Sequence, residues 1–338
     1  MILVFTICSN NYLAQAITLG LSLLEHNPQY IFKIGLVDRK NRQFDYSAIS
    51  FEIIEVESIG ISAFNEMFKR YNITELNTAV KPYYFQHFFK SYNTSDKIIY
   101  LDPDIFVYNT FTDLANVLEK NEIVITPHFT TPICDDKWQS ENDFLNSGLY
   151  NLGFIALKKG MESQKLIDWW AKRLETKAFI DFAKGMFTDQ LWINFAPLYF
   201  EKVHIFSHPG YNMAYWNMHE RFLNESGEVV KNSIPYPLVF FHFSGFNPLR
   251  PEDISKYQDR FSFDNRNDVA GLFRDYSALL IGNNCMLFNR SQCYFSVEKQ
   301  KLVSAQTARL KKRIPIYKRI FRGLFIRLIR FFKIDINS

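Results

Sequence analysis

The chain has few cysteines, and none of them has the spacing of a metal site. Its 338 residues contain four, at Cys8, Cys134, Cys285 and Cys293. Structural zinc sites need paired, closely spaced cysteines, and four scattered cysteines in a chain of this length do not suggest a disulfide framework, so neither is expected here. This pattern fits a protein of a reducing compartment.

The common nucleotide-binding glycine motifs are also missing. No Gly-x-Gly-x-x-Gly follows the first strand-like run, and no Walker-type Gly-Lys-Ser/Thr occurs in the chain. Their absence argues against dinucleotide dehydrogenases and P-loop NTPases. The amino-terminal residues 1–12 have no basic segment before their strand-like apolar run, so a signal peptide is not expected and a cytoplasmic location is predicted.

Basic charge is scarce outside the carboxyl-terminal tail. The formal charge is +4, but residues 310–338 contain nine basic residues and one acid, Asp335, and so carry +8. The remaining residues therefore carry −4. A mildly acidic body argues against a nucleic-acid partner spread over its surface.

The tail has the pattern of an amphipathic helix. Over residues 315–333, apolar side chains fall on one helical face and most basic ones on the other. The segment is too charged to span a bilayer, but it suits the surface of an anionic membrane. We predict peripheral binding to the inner face of the cell membrane. The alternative is that the helix packs on the body or on a second subunit.

Strand-like and helix-like segments alternate through the first 126 residues, which predicts an α/β fold with a mixed, mostly parallel sheet flanked by helices. After residue 250 the pattern becomes polar and helical. We therefore predict a catalytic domain over 1–250, a helical extension over 251–309 and the basic tail over 310–338. The predicted strands are Ile2–Ile7, Ile31–Val37, Phe51–Val56, Lys97–Leu101 and Ile123–Thr126.

Two carboxylates stand one residue apart at the end of a predicted strand. Asp102 and Asp104 follow the apolar run Lys97–Leu101, and Pro103 restricts the backbone between them. Open α/β sheets bind ligands at the carboxyl ends of their strands. Paired carboxylates there suit a divalent cation that neutralises a diphosphate. The alternative is a surface turn.

Further polar residues follow in an order that suits the same site. His242 ends an apolar run and is a natural third ligand beside two carboxylates, although a core histidine is the alternative. Gly245 would let a diphosphate approach the backbone closely. Asn151 suits recognition of a sugar hydroxyl, although a turn is the alternative. Asp189 and Gln190 either point into the site or form a helix cap.

Four segments together resemble a known family. They are YLDPDIFVYN (100–109), NLGFIALKKG (151–160), TDQLWINFAP (188–197) and FFHFSGFNP (240–248). Their order and spacing resemble the retaining glycosyltransferases of family 8, which have the GT-A fold, and related bacterial enzymes that make surface polysaccharides. The resemblance covers about residues 1–250.

The resemblance implies a nucleotide-sugar donor whose diphosphate is bridged by Mn²⁺ or Mg²⁺ to Asp102, Asp104 and His242. Asp189 would hold sugar hydroxyls, and Gln190 would face the donor sugar opposite the leaving group. The donor or nucleotide contacts implied are Thr6, Ser9, Asn10, Tyr12, Asp38, Lys81, Asp102, Asn151 and Gly245.

Two features depart from the family pattern. The family carries His-x-x-Gly-x-x-Lys-Pro-Trp, and the Lys and Trp are missing after His242. Arg250 or Lys81 is the candidate to replace that lysine beside the phosphates. The usual acidic residue of the first loop is also absent, near Ser9 and Asn10.

The sequence therefore predicts a metal-dependent, retaining glycosyltransferase of bacterial surface polysaccharide synthesis, with a UDP-sugar donor and a glycan or lipid-linked acceptor. Inversion would require a carboxylate base, for which Asp189 and Asp143 are the candidates. A catalytically inert glycan- or membrane-binding module and a metal-dependent nucleotidyltransferase are the alternatives.

Overall fold

The computed structural model describes residues 1–92 and 94–313. The predicted amphipathic helix over 315–333 lies outside them. Residues Met1–Cys293 form one compact unit, and the described part of the second unit is a helix, Tyr294–Arg313. The first unit thus continues past residue 250; the division into a catalytic domain and a helical extension stays a prediction.

Fourteen strands occur in the described residues. They are β1 (Ile2–Cys8), β2 (Ile31–Leu36), β3 (Glu52–Glu55), β4 (Lys97–Leu101), β5 (Ile105–Val107), β6 (Ile123–Pro127), β7 (Tyr150–Lys158), β8 (Ile180–Asp181), β9 (Met186–Phe187), β10 (Val203–Ile205), β11 (Phe222–Leu223), β12 (Glu228–Lys231), β13 (Ile234–Pro237) and β14 (Phe240–His242).

The described α-helices number eleven. They are α1 (Leu13–His26), α2 (Phe64–Arg70), α3 (Ile73–Ala79), α4 (Lys81–Ser91), α5 (Thr112–Lys120), α6 (Glu141–Ser147), α7 (Met161–Leu174), α8 (Ala196–Tyr199), α9 (Ala270–Gly282), α10 (Cys285–Phe288) and α11 (Tyr294–Arg313). In the part of the chain that the structure describes, no helix has both the length and the apolar composition needed to cross a membrane.

Seven strands form the central sheet in the order β10-β6-β7-β4-β1-β2-β3. β1 is buried along its whole length, as its continuous apolar sequence requires of a strand covered on both faces. Every neighbouring pair is parallel except those of β7, which runs antiparallel to β4 and to β6. The predicted fold class is confirmed: a mixed, mostly parallel sheet flanked by helices.

The reversed direction of β7 decides what meets at the ligand-binding edge. Because β7 is antiparallel, its first residues lie beside the last residues of β4, with Leu101 opposite Phe154. Asn151 and Gly153 therefore reach the same edge as the Asp-Pro-Asp segment that follows β4.

A small two-stranded sheet brings in the distant histidine. β14 pairs antiparallel with β5, which places His242 opposite Ile105. The backbone amide of Phe243 donates to the carbonyl of Asp104 at 2.8 Å. On the other side of this ladder, Phe243 stacks on Tyr276 of α9 with ring centroids 4.0 Å apart, so the helix after residue 250 supports the histidine-bearing strand.

Candidate active site

Asp102, Asp104 and His242 form one cluster at the carboxyl edge of the sheet. One potential ligand atom from each lies within 4.8 Å of the other two. The Nε2 atom of His242 is 3.0 Å from Oδ1 of Asp104 and 3.8 Å from Oδ2 of Asp102. The structure thus brings together the three predicted side chains, two of which follow β4 and one of which ends β14.

The backbone and one tyrosine hold Asp102 in place. Its amide donates to the carbonyl of Gly153 at 2.7 Å, and the hydroxyl of Tyr100 donates to its Oδ1 at 2.5 Å. Removal from water raises the pKa of Asp102, against the lowering effect of Lys81 and His242. For His242, burial favours the neutral ring, but Asp104 and Asp102 outweigh burial and raise the pKa. The carboxylates and the imidazole therefore stabilise each other's charge.

The donor set fits a divalent cation. Carboxylate oxygens and an imidazole nitrogen are ligands that Mn²⁺ accepts, and Mg²⁺ accepts the oxygens readily. Three protein atoms this close leave the remaining coordination positions to water or to a substrate phosphate. The residues present therefore fit the metal that the sequence predicted.

Gly153 has no side chain because the cluster occupies the space. A Cβ at this position would lie 2.3 Å from Cε1 of His242 and 2.8 Å from Oδ2 of Asp102. Contacts below 3 Å between such atoms are repulsive, so any side chain would displace a ligand. Glycine at this point of β7 lets two ligands converge against the strand.

Substituting this glycine provides a test of the packed geometry. We expect Gly153→Ala to lower the affinity for Mn²⁺ by at least about tenfold and to cost about 1–3 kcal/mol in unfolding free energy, since a methyl group is forced into a filled site. Mn²⁺ titration and urea unfolding of the full chain measure both effects. Gly271→Ala is the control, because the nearest atom to a Cβ there is 3.8 Å away; equal losses in the two variants would contradict the prediction.

A buried ion pair borders the cluster. Nζ of Lys81 lies 2.6 Å from Oδ2 of Asp189, and each side chain is 2% exposed. The same ammonium group donates to the carbonyl of Leu152 at 2.8 Å and sits 4.1 Å from the ring centre of Tyr100. Lys81, which the sequence predicted near the donor, is thus held in place by Asp189, a carboxylate from a different predicted motif.

Gln190 is fixed at both ends of its amide. Its Oε1 accepts from the amide of Leu152 at 3.0 Å, and its Nε2 donates to the carbonyl of Ser147 at 2.9 Å. The side chain also fills the space beside Gly148, whose Cβ would lie 2.9 Å from Cγ of Gln190. The amide therefore has one orientation beside the first residues of β7.

The residues predicted for the nucleotide lie at the ends of β1 and β2. The amide of Asn10 donates to Oδ2 of Asp38 at 3.3 Å, and the Asn10 side chain donates to the carbonyl of Arg39 at 2.8 Å. Both residues are buried. Ser9 is buried as well, and Thr6 is fully buried within β1. These contacts link two loops at the ligand-binding edge.

Tyr12 lies near both this group and the cluster of Asp102, Asp104 and His242. Shielding of its hydroxyl from water and the negative charges of Asp104 and Asp102 raise its pKa to about 12. The residue is nevertheless 41% exposed. Tyr12 therefore combines a hydroxyl near the carboxylates with surface that a base can contact.

Gly245 and Arg250, the two predicted phosphate contacts after β14, have surroundings unlike those of the other predicted residues. Gly245 has φ of +75°, which favours glycine, but the space beside it is occupied: a Cβ would lie 2.5 Å from Oγ of Ser255 and 2.6 Å from the Tyr257 ring. Arg250 is exposed in the turn after β14. The structure thus gives Gly245 a packing reason, and the phosphate roles of both residues stay predictions.

Three buried residues at the site were not anticipated. Asn212 lies between His242 and Asn151, His128 contacts Asn151, and the Trp216 ring packs edge-on against His242 at 5.1 Å. Each is a single residue in a segment without a recognisable motif, so local sequence gives no signal for it.

A mixed sheet with an Asp-x-Asp pair and a distant histidine at its carboxyl edge is the arrangement expected of a GT-A glycosyltransferase. Residues 3–250 match the family described as Glycosyl transferase family 8. The chain therefore belongs to glycosyltransferase family 8.

Two uncharacterized proteins of Bacillus subtilis (strain 168) are similar in sequence. YfnF is 26% identical over 190 residues, which cover 53% of this chain and 59% of YfnF. YfnD is 24% identical over 265 residues, which cover 74% of this chain and 79% of YfnD. The chain thus spans less than two thirds of YfnF and more than three quarters of YfnD.

Solved glycosyltransferase structures are also similar. The galactosyltransferase LgtC, in complex with donor and acceptor sugar analogs, has a TM-score of 0.47 and 14% identity over 83% of this chain and 96% of its own. GlyE of Streptococcus pneumoniae TIGR4 has a TM-score of 0.46 and 16% identity, over 86% and 65%. The bifunctional WbbM has a TM-score of 0.47 and 14% identity, over 89% and 51%.

Proposed function

We propose that this glycosyltransferase moves a sugar from a nucleotide diphosphate sugar, with UDP-sugar as the favoured donor, to a glycan or lipid-linked acceptor. The observation that carries the proposal is the cluster of Asp102, Asp104 and His242. It lies at the edge where the loops after β1 and β2 present Asn10 and Asp38. A diphosphate at the cluster would have its nucleoside within reach of those loops.

Mn²⁺ or Mg²⁺ held by Asp102, Asp104 and His242 would neutralise the charge that develops on the leaving diphosphate. Lys81 adds a fixed positive charge close to Asp102, and its pairing with Asp189 keeps that charge in one position. Such preorganised charge is most effective where water is excluded.

The geometry favours retention of the anomeric configuration. Gln190 cannot remove a proton from an acceptor, and both ends of its amide are engaged. The two carboxylates that could act as bases for inversion are also occupied. Asp189 pairs with Lys81, and Oδ2 of Asp143 accepts from the amide and hydroxyl of Ser140 at the start of α6. A reaction on the same face as the leaving group needs no such base.

A donor panel tests this function. We expect the full chain with Mn²⁺ to release free nucleoside diphosphate from one nucleotide sugar, and a chelator to abolish the release. Proton NMR of the glycoside product is expected to show the anomeric configuration of the donor. Release of pyrophosphate would indicate a nucleotidyltransferase, and no turnover with any donor would support an inert binding module.

We further propose that the reaction serves bacterial surface polysaccharide synthesis at the inner face of the cell membrane. The support is the basic, amphipathic sequence of residues 315–333 and the resemblance to enzymes of that process.

A further inference from the structure

Behind the metal-binding cluster, a chain of hydrogen bonds leads from His242 to the backbone. Nδ1 of His242 is 3.3 Å from Oδ1 of Asn212. Nδ2 of Asn212 donates to Oδ1 of Asn151 at 3.1 Å. Nδ2 of Asn151 is 3.3 Å from Nε2 of His128, and Nδ1 of His128 is 3.1 Å from the carbonyl of Leu149. All four side chains are at least nine-tenths buried.

The last of these hydrogen bonds, between His128 and Leu149, sets the donor-to-acceptor direction of the whole series. A backbone carbonyl only accepts, so Nδ1 of His128 must carry the proton that it donates to Leu149. Burial lowers the pKa of His128 to about 4, although its hydrogen bond to Leu149 opposes the shift. The ring is therefore neutral at pH 7, and its Nε2 accepts. The partner atom of Asn151 must then be the amide nitrogen.

A second fixed group gives the same direction independently. The backbone amide of Gly153 only donates, and it lies 3.2 Å from Oδ1 of Asn151. The Asn151 oxygen is thus fixed as an acceptor from Gly153 and from Asn212. Asn212 must present its nitrogen to Asn151, which leaves its oxygen facing Nδ1 of His242.

Asn212 is itself held firmly. It is 1% exposed, and its carbonyl accepts from Nδ2 of Asn217 at 2.9 Å. Its φ of +55° is a conformation that asparagine adopts more readily than most residues. Trp216 packs edge-on against both histidine rings, at 5.1 Å from His242 and 5.3 Å from His128.

We propose that Asn212 is a positioning residue whose side-chain oxygen accepts from Nδ1 of His242 and so directs Nε2 toward the space beside Asp102 and Asp104, where a cation would bind. Asn212 competes for the ring proton with Asp104, whose Oδ1 lies 3.0 Å from Nε2, and a proton held on Nδ1 leaves Nε2 free. This inference rests on the proposed function, because the freed atom is the one that a cation would bind. Partners of this kind fix the ring orientation of metal-binding histidines.

The same series of hydrogen bonds changes the expected role of Asn151. Its oxygen accepts from Gly153 and Asn212, and its nitrogen faces His128. The side chain therefore links two parts of the chain of hydrogen bonds, and recognition of a sugar hydroxyl would have to compete with these contacts.

The tautomer of His242 can be read directly without any metal. The full chain is labelled with ¹⁵N-histidine, freed of metal, and titrated upward from pH 6 until the ring is neutral; a His242→Ala sample assigns the signals. We expect a measurable fraction of the neutral ring to carry its proton on Nδ1, despite the competing acceptor Asp104. Asn212→Asp retains an acceptor and should keep or raise that fraction, whereas Asn212→Ala should lower it.

The affinity for Mn²⁺ alone provides the second readout. Loss of an outer partner typically weakens metal binding 10–100-fold, so we expect a loss of about that size in Asn212→Ala and a smaller one in Asn212→Asp. An Asn212→Ala protein with an unchanged fraction of the Nδ1 tautomer would overturn the proposal, whatever its stability in urea. If the unsubstituted chain binds no Mn²⁺, the proposed function fails, while the tautomer still decides the role of Asn212.

Discussion

Replacing Asp104 by asparagine is expected to abolish measurable Mn²⁺ binding and to reduce kcat/KM for sugar transfer by about 100–1,000-fold, the range seen when one group that stabilises transition-state charge is removed. Asparagine keeps the shape of the side chain but removes the negative charge 3.0 Å from Nε2 of His242. The cluster would then offer a cation only one carboxylate and one imidazole, which are too few ligands for measurable binding. Steady-state kinetics with the donor found in the panel, together with Mn²⁺ titration, measure the two effects.

The matched control is Asp264→Asn. Asp264 is an exposed carboxylate in the segment before α9, so its amide variant should retain full activity and metal affinity. Urea unfolding should show the Asp104→Asn protein folded, because the smaller charge on the cluster leaves the packing of β5 and β14 intact. Equal activity in the two variants would argue for chemistry at another place in the molecule.

The three candidate metal ligands could be predicted from the sequence because they lie at the ends of two strands. Asp102 and Asp104 follow β4, and His242 ends β14, so the apolar runs alone point to the edge of a sheet. The pairing of β14 with β5 then accounts for their meeting, since it places His242 directly opposite the residue after Asp104.

The rest of the site depends on packing between distant segments. His128 becomes part of it because β7 runs against its neighbours and carries Asn151 to this edge, and Asn212 because it contacts both Asn151 and His242. Gly245 is a further example. A side chain there would contact Ser255 and Tyr257, a packing reason for glycine that local pattern does not indicate.

The ion pair of Lys81 with Asp189 joins two distant segments, and breaking it should have the largest effect on the unfolding free energy. In Lys81→Met, the carboxylate of Asp189 loses its partner at 2.6 Å while staying buried. Removing one partner of a buried pair typically costs about 3–5 kcal/mol, because the remaining charge is left without compensation. We therefore expect a loss of that size in the unfolding free energy, measured by urea denaturation at pH 7.

Removing both charges separates stability from function. Lys81→Met combined with Asp189→Leu leaves no buried charge, so its unfolding free energy should lie within about 2 kcal/mol of the unsubstituted protein; the remaining cost is the hydrogen bond to Leu152. Lys69→Met, which breaks an exposed pair with Glu66, should change it by less than about 1 kcal/mol.

Sugar transfer should respond differently from stability in this series. If the pair positions the donor, the double variant is expected to be stable and yet to lose at least about 100-fold in kcat/KM, since the fixed charge beside Asp102 is gone. A stable double variant with normal kinetics would mean that Lys81 and Asp189 serve folding alone. Normal stability together with a low kcat/KM in the double variant is expected only if the pair contacts the donor. This comparison therefore decides whether the buried charges take part in the reaction.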